Sequence, residues 1–323
     1  MNTLLPTTER ASPACWSQLG GTASNRSWDH RLLGREDNHY DWTDCEAHHL
    51  SKVPVTLLIC LCGLVGNGAI LWFLGSRIHR NPITTYVLNL AVADFAFLLS
   101  IAVTLVIFYG PESLCPGWSS QDVTTVMNIT ILFTFTASVY LLTAFSATTS
   151  LSVLPLARCP CHRLSVPVCA LLWVLAFLLT VTLYFCPAVL TVFILSYVLS
   201  VLTLIFSGLT LLARVLCCSQ QHPPRKLCVV VLLAVFFFPF FTADFGYWLL
   251  LRLFDFSVFV FDASLLFACV NSSINPVIYF FVGSCAKKFT PSVRVAFQRA
   301  FEDVTEPQNR GEPPRENTVE TAV

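Results

Sequence analysis

Apolar positions along this chain come in long blocks, separated by short polar and basic segments. A helix needs about 20 apolar residues to cross a bilayer. Val53–Ser76 is one such block, and Pro82–Tyr109 is a second, broken only by Asp94. Val123–Ala157 holds no Asp, Glu, Lys or Arg and is long enough for a third span with a tail. Leu164–Ala213 runs 50 residues without one of those charges. At roughly 1.5 Å per residue that is too long for one crossing, so it predicts two spans with a tight turn near Cys186-Pro187. Lys226–Leu251, interrupted by Asp244, is the sixth, and Ser257–Val282 is the seventh. Lipid offers no hydrogen-bond partner to a bare backbone, so these blocks must be helices. The short alternating strands of a transmembrane barrel are absent from the sequence. The pattern predicts an all-α membrane protein, a seven-transmembrane helix bundle.

Composition agrees. The 323 residues are 55% hydrophobic and 12% charged, with 27 Phe, against about 25% charged residues in a soluble domain. A formal net charge of zero, with no basic stripe, argues against a nucleic-acid protein. The 14 Cys are scattered through apolar runs, where a thiol acts as a small hydrophobe, and form no disulfide framework.

Charge then orients the bundle. Arg77, Arg80, Arg158, Arg163, Arg214, Arg225 and Lys226 follow spans one, three and five, and Lys287, Lys288, Arg294 and Arg299 follow span seven. The opposite loops hold little beyond Arg252. A positive-inside bias predicts the N-terminus outside and the C-terminus in the cytoplasm. The predicted organisation is an extracellular N-terminal segment over 1–52, a transmembrane domain over 53–282, a juxtamembrane helix over 283–301 and a disordered cytoplasmic tail over 302–323. Met1–Leu50 has no apolar signal core, so span one is expected to act as its own insertion signal. Asn25-Arg26-Ser27 is a glycosylation acceptor, whereas the matches at Asn128 and Asn271 fall inside spans and should be unused.

Chemistry inside the spans is sparse and therefore informative. "GNGAI" places Asn67 in span one, and "LNLAVADF" places Asp94 in span two. "NSSINPVIYFFVGS" places Asn271, Ser272, Asn275, Pro276 and Tyr279 in span seven. Buried polar groups in lipid are costly and face the bundle interior. Pro276 frees a backbone carbonyl, so Asn67, Asp94 and Asn275 are expected to form one interior network. Plain interhelical hydrogen bonding without a switching role is the competing reading.

Taken together, GN…LNLAVAD…NPVIY resembles the rhodopsin-like (class A) G-protein-coupled receptors. "VCALLWVLAFLL" in span four, the span-seven block and "AFQRAFED" beyond it resemble the Mas-related subfamily, over about Val53 to Asp303. The resemblance implies an extracellular peptide or small-molecule ligand, a bundle that shifts between two states, and a heterotrimeric G protein at the cytoplasmic face of the plasma membrane. It implies an interior sodium and water pocket at Asp94, Asn271 and Ser272, and an activation motif at Asn275, Pro276 and Tyr279. Phe289–Phe301, with Val293, Phe297 and Ala300 three or four apart, matches the family's amphipathic eighth helix.

Departures from the family narrow the picture. "SATTSLSVLPLARCP" (Ser146–Pro160) lacks the acidic-Arg-Cys triplet that ends span three in the subfamily, as if about three residues were deleted after Ser150. Arg158 is the nearest substitute, but Pro155 should end the helix before it. No Asp or Glu lies between Leu164 and Ala213, so cation recognition has no support there. Span six, "FFFPFFTADFGYW" (Phe236–Trp248), puts a phenylalanine, Phe237 or Phe238, where the family has an aromatic toggle. Asp244 is the leading candidate for contacting a cationic ligand, with Asp122 and Asp262 at the rims and Phe240, Tyr247 and Trp248 along the same cavity. Hydrogen bonding of Asp244 to a neighbouring helix, and aromatic packing, are the alternatives.

"RCPCHR" (Arg158–Arg163) does not read as a metal site: zinc needs a fourth ligand and wider spacing than CxC. It reads as the second cytoplasmic loop, with Arg158 and Arg163 facing the G protein. No metal site, catalytic residue or enzyme activity is expected. Cys15, Cys45, Cys115 and Cys186 could pair outside, in combinations the sequence leaves open. Cys285, with Cys217 and Cys218, is placed for palmitoylation, with simple free thiols as the alternative, and Thr321–Val323 fits capture by a PDZ-type domain, against a tail with no such role. Three functions compete: a ligand-activated receptor, a receptor-fold decoy or dimerisation partner with weak coupling, and, last, a transporter or channel, which would show repeated halves and broken helices.

Overall fold

The computed structural model describes residues 42–75, 82–109, 121–153, 164–218, 226–254, 263–284 and 293–300. The chain divides into two compact units, Met1–Leu50 and Ser51–Val323. The first contributes the opening turns of α1, and the second holds the rest of the described helices. Those helices are α1 (Trp42–Gly75), α2 (Pro82–Tyr109), α3 (Gln121–Val153), α4 (Ser165–Phe185), α5 (Leu190–Cys218), α6 (Lys226–Phe254), α7 (Ala263–Ser284) and α8 (Val293–Ala300). No strand occurs among the described residues. Six of these helices are long and apolar enough to cross a membrane. α6 is helical throughout Lys226–Phe254 and completes the seven-helix bundle.

Local sequence explains where the helices start and stop. α2 opens on Pro82, which is harmless at a first helical position because that N–H has no partner. The 50-residue uncharged block does split in two, as its length requires. Cys186 is extended (φ −135°, ψ 92°), its N–H donates to the Thr182 carbonyl at 2.8 Å, and Pro187–Val189 forms a single 3₁₀ turn before α5. Pro187 forces this break, since a residue before proline is pushed out of the helical region. α1 begins at Trp42, ahead of the apolar block that opens at Val53.

α3 is the axis of the bundle. It packs on α2, α4, α5 and α6, and 72% of its most apolar stretch is buried, against 28% for α1, α4 and α5. Many of its serines and threonines survive there by bonding carbonyls of their own helix, as Thr143 does to Val139 and Thr149 to Phe145. α8 lies against α7, with Phe297 buried and its ring 6.3 Å from that of Phe73. The joint is tight at Gly283, where an added Cβ would sit 1.9 Å from the backbone oxygen of Ala296.

Candidate functional site

Asp94, fully buried on α2, is the centre of the site. One carboxylate oxygen (Oδ1) accepts from the Ser138 hydroxyl of α3 at 2.7 Å. The other (Oδ2) accepts from Asn275 Nδ2 of α7 at 2.9 Å. The Ser272 hydroxyl, one turn earlier on α7, is a further hydrogen-bonding neighbour. Among the described residues these partners are all neutral, so a single carboxylate ties three helices together without a counter-charge.

α1 joins this centre through the proline. Pro276 has no N–H, so the Ser272 carbonyl four residues back loses its helical donor. Asn67 Nδ2 supplies the replacement at 3.1 Å, while also donating to Gly63 O of its own helix at 3.0 Å. The approach demands small residues on α1. A Cβ on Gly66 would lie 2.9 Å from Pro276 Cβ, and one on Gly63 would lie 2.2 Å from Ser273 Oγ. Ser273 donates to the Ile59 carbonyl at 3.2 Å, and the Cys60 and Cys269 sulfurs stand 3.7 Å apart on the same seam. Asn67 Oδ1 is buried without a partner among the described residues.

The predicted interior network thus exists, with one refinement. Asp94 and Asn275 bond directly, whereas Asn67 reaches them through the Ser272 backbone rather than through a side chain. Asn271, Pro276 and Tyr279 are buried on the same helix. Ser138 was not among the sequence candidates. Its only signal was a hydroxyl in an uncharged span, shared with many neighbours that bond only their own helix. A further bond the sequence candidates did not include is the Trp173 indole N–H donating to Asn89 Oδ1 at 3.1 Å, which ties α4 to α2.

Other candidates are placed less fully. Phe240, Asp244, Tyr247 and Trp248 lie on continuous helix beyond Pro239. Asp122 lies in the first turn of α3. Of the two toggle candidates, Phe238 is buried and Phe237 only partly so, which leaves Phe238 the deeper in the bundle. Asp262, Arg158, Arg163, Asn25, Cys285 and Thr321–Val323 fall outside the described residues. At its far end, α3 continues unbroken to Val153, and Thr148, Thr149, Ser150 and Ser152 all bond carbonyls of their own helix.

No family model matches the chain. Individual proteins do. It is 34% identical over 290 residues to the proto-oncogene Mas of Homo sapiens, covering 83% of this chain and 89% of that protein. It is 36% identical over 300 residues to Mas-related G-protein coupled receptor member D of Homo sapiens, covering 84% and 91%. With member B2 of Mus musculus it shares 31% over 319 residues, covering 89% and 92%.

Proposed function

The chain belongs to the family of Mas and Mas-related G-protein coupled receptors, a multi-pass membrane receptor rather than an enzyme, and on that premise we propose how it works. An extracellular peptide or small molecule enters at the end of the bundle marked by Asp244, with Phe240, Tyr247 and Trp248 of the same helix and Asp122 and Asp262 at the rim as its further contacts. The receptor sits in the plasma membrane with its N-terminus outside, where Asn25 is open to glycosylation. Its opposite face, with Arg158 and Arg163, meets a heterotrimeric G protein.

The observation that carries this reading is the Asp94 centre: α2, α3 and α7 share one buried carboxylate, and α1 holds the carbonyl that Pro276 releases. A shift of α7 must exchange these bonds together, which is what a two-state transducer needs. Asp94 with the Ser138 and Ser272 hydroxyls presents hard oxygen donors around an uncompensated negative charge, and Asn67 Oδ1 is a further buried acceptor without a protein partner. That donor set suits a sodium ion, which would supply the missing positive charge. Cys285 near the end of α7 is placed for palmitoylation against the inner leaflet, and Thr321–Val323 for a PDZ-type partner.

The test is a G-protein activation assay in cells that express the full chain with an N-terminal tag stained without permeabilisation. Surface staining with activation of at least one G-protein class is expected. Surface staining without activation of any class would favour a decoy or dimerisation partner, in line with the uncharged end of α3. Agonist affinity should fall as sodium replaces a bulky cation, and Asp94→Asn should abolish that dependence.

A further inference from the structure

Two hydroxyl pairs join α3 to α5: Tyr140 with Ser196, 2.7 Å apart, and a second in the half of α3 nearest Val153. Ser146 of α3 and Ser207 of α5 are both buried, with their hydroxyl oxygens 2.6 Å apart. The direction of this bond follows from proton counting. Ser207 Oγ also stands 2.8 Å from the Thr203 carbonyl and 3.1 Å from that of Leu204. A hydroxyl has one proton, and carbonyls only accept. Ser207 therefore donates to its own helix, and Ser146 donates across to Ser207.

Ser146 has another option. Thr143, Thr148 and Thr149, its neighbours on α3, each donate to the carbonyl four residues back. A rotation about one side-chain bond would give Ser146 the same acceptor in its own helix. The interhelical bond can thus be exchanged for an intrahelical one without stranding a polar group in lipid. That is the property a reversible contact needs, and the Asp94 carboxylate, with no backbone alternative, lacks it.

The site also lies where α6 can bend. Gly208, next to Ser207, is so close to α6 that an added Cβ would stand 2.9 Å from Val235 Cγ1. Val235 is four residues before Pro239, so its carbonyl is the one that the proline leaves without a helical donor. The turn of α5 that Ser146 holds is therefore the turn on which the proline-weakened part of α6 rests.

We propose that the Ser146–Ser207 hydroxyl pair is a latch holding α5, and with it the Pro239 turn of α6, against α3 in the conformation described here, and that its release is a step in passing the signal to the inner face. This rests on the receptor reading above. Ser146 and Ser207 are positioning residues: neither touches a ligand or a G protein in this account.

The experiment uses the full-length chain in cell membranes and needs no ligand. Ser146→Ala and Ser207→Ala, at matched surface level, should each raise agonist-independent G-protein activation about threefold, the value of a typical interhelical hydrogen bond in a membrane. The double alanine variant should add nothing, because only one bond is lost, and Ser146→Thr should keep the low basal level. Wild-type basal activity in both alanine variants would overturn the latch. In a second arm, the S146C/S207C double variant is oxidised with copper-phenanthroline and the linked peptide is read by mass spectrometry. Cross-linking should lower basal activity, and reduction should restore it. A wild-type chain that activates no G protein would sink the receptor reading. In that case the linked peptide still tests the contact: its formation supports the held α3–α5 geometry, and its absence overturns it.

Discussion

Where α1, α2, α3 and α7 meet, polar side chains bond other helices; on the outer faces of α4 and α5 the threonines bond their own. Asp94, Asn67 and Asn275 reach across to neighbours. Thr203 and Thr210 on α5 turn back to Leu199 and Phe206, and Thr182 on α4 to Leu178. Around them stand large exposed apolar residues, such as Leu195 and Phe206, which meet lipid. The difference lies in how many hydrogen bonds a side chain requires. A hydroxyl has one proton and can satisfy it on the carbonyl one turn back. A carboxylate or carboxamide has more sites than its own helix can fill, so it must recruit other helices. The count of donors and acceptors decides which residues build the bundle and which only tolerate it.

Substitutions can break this contrast in graded fashion. Gly283→Ala should do most damage, since its Cβ would collide with the Ala296 backbone oxygen, which cannot rotate away. We expect a loss of about 3 kcal/mol, the upper part of the overpacking range, read as a lower melting temperature of the detergent-solubilised receptor. Asn275→Ala should follow at about 2 kcal/mol, because it strips a donor from a buried carboxylate. The same variant should lose agonist response in a cell assay, and a full response at normal surface level would deny Asn275 a role in switching. Trp173→Phe removes one interhelical bond and keeps the ring, so about 0.6 kcal/mol is expected. Thr203→Val on the flank should stay within about 0.5 kcal/mol of wild type. If Thr203→Val matched Asn275→Ala in a melting experiment, the contrast between the two regions would fail.

The same counting explains what could be read from the chain. The spans were legible because lipid demands uninterrupted apolar length, and the break at Cys186-Pro187 followed from length plus one proline. Asp94, Asn67 and Asn275 stood out because such groups are rare in lipid. Ser138, Ser146 and Ser207 did not, because their neighbours carry the same hydroxyl and use it locally. Only three-dimensional placement separates a serine that bonds its own helix from one that bonds another. Thr148 to Ser150, at the end of α3 where the subfamily carries charge, illustrates the limit. Their identity was plain in the sequence, but their inward-turned hydrogen bonds were not.

Pro276 bears on how the helices travel. Because the ring carries no amide hydrogen, the Ser272 oxygen depends on Asn67 of α1. Parting the two helices would take that donor away from a buried carbonyl, a cost that opposes their separation. The missing hydrogen therefore works as a clutch: any turn of α7 that keeps this bond takes α1 with it, which ties the first helix to the seventh rather than leaving it a passive wall.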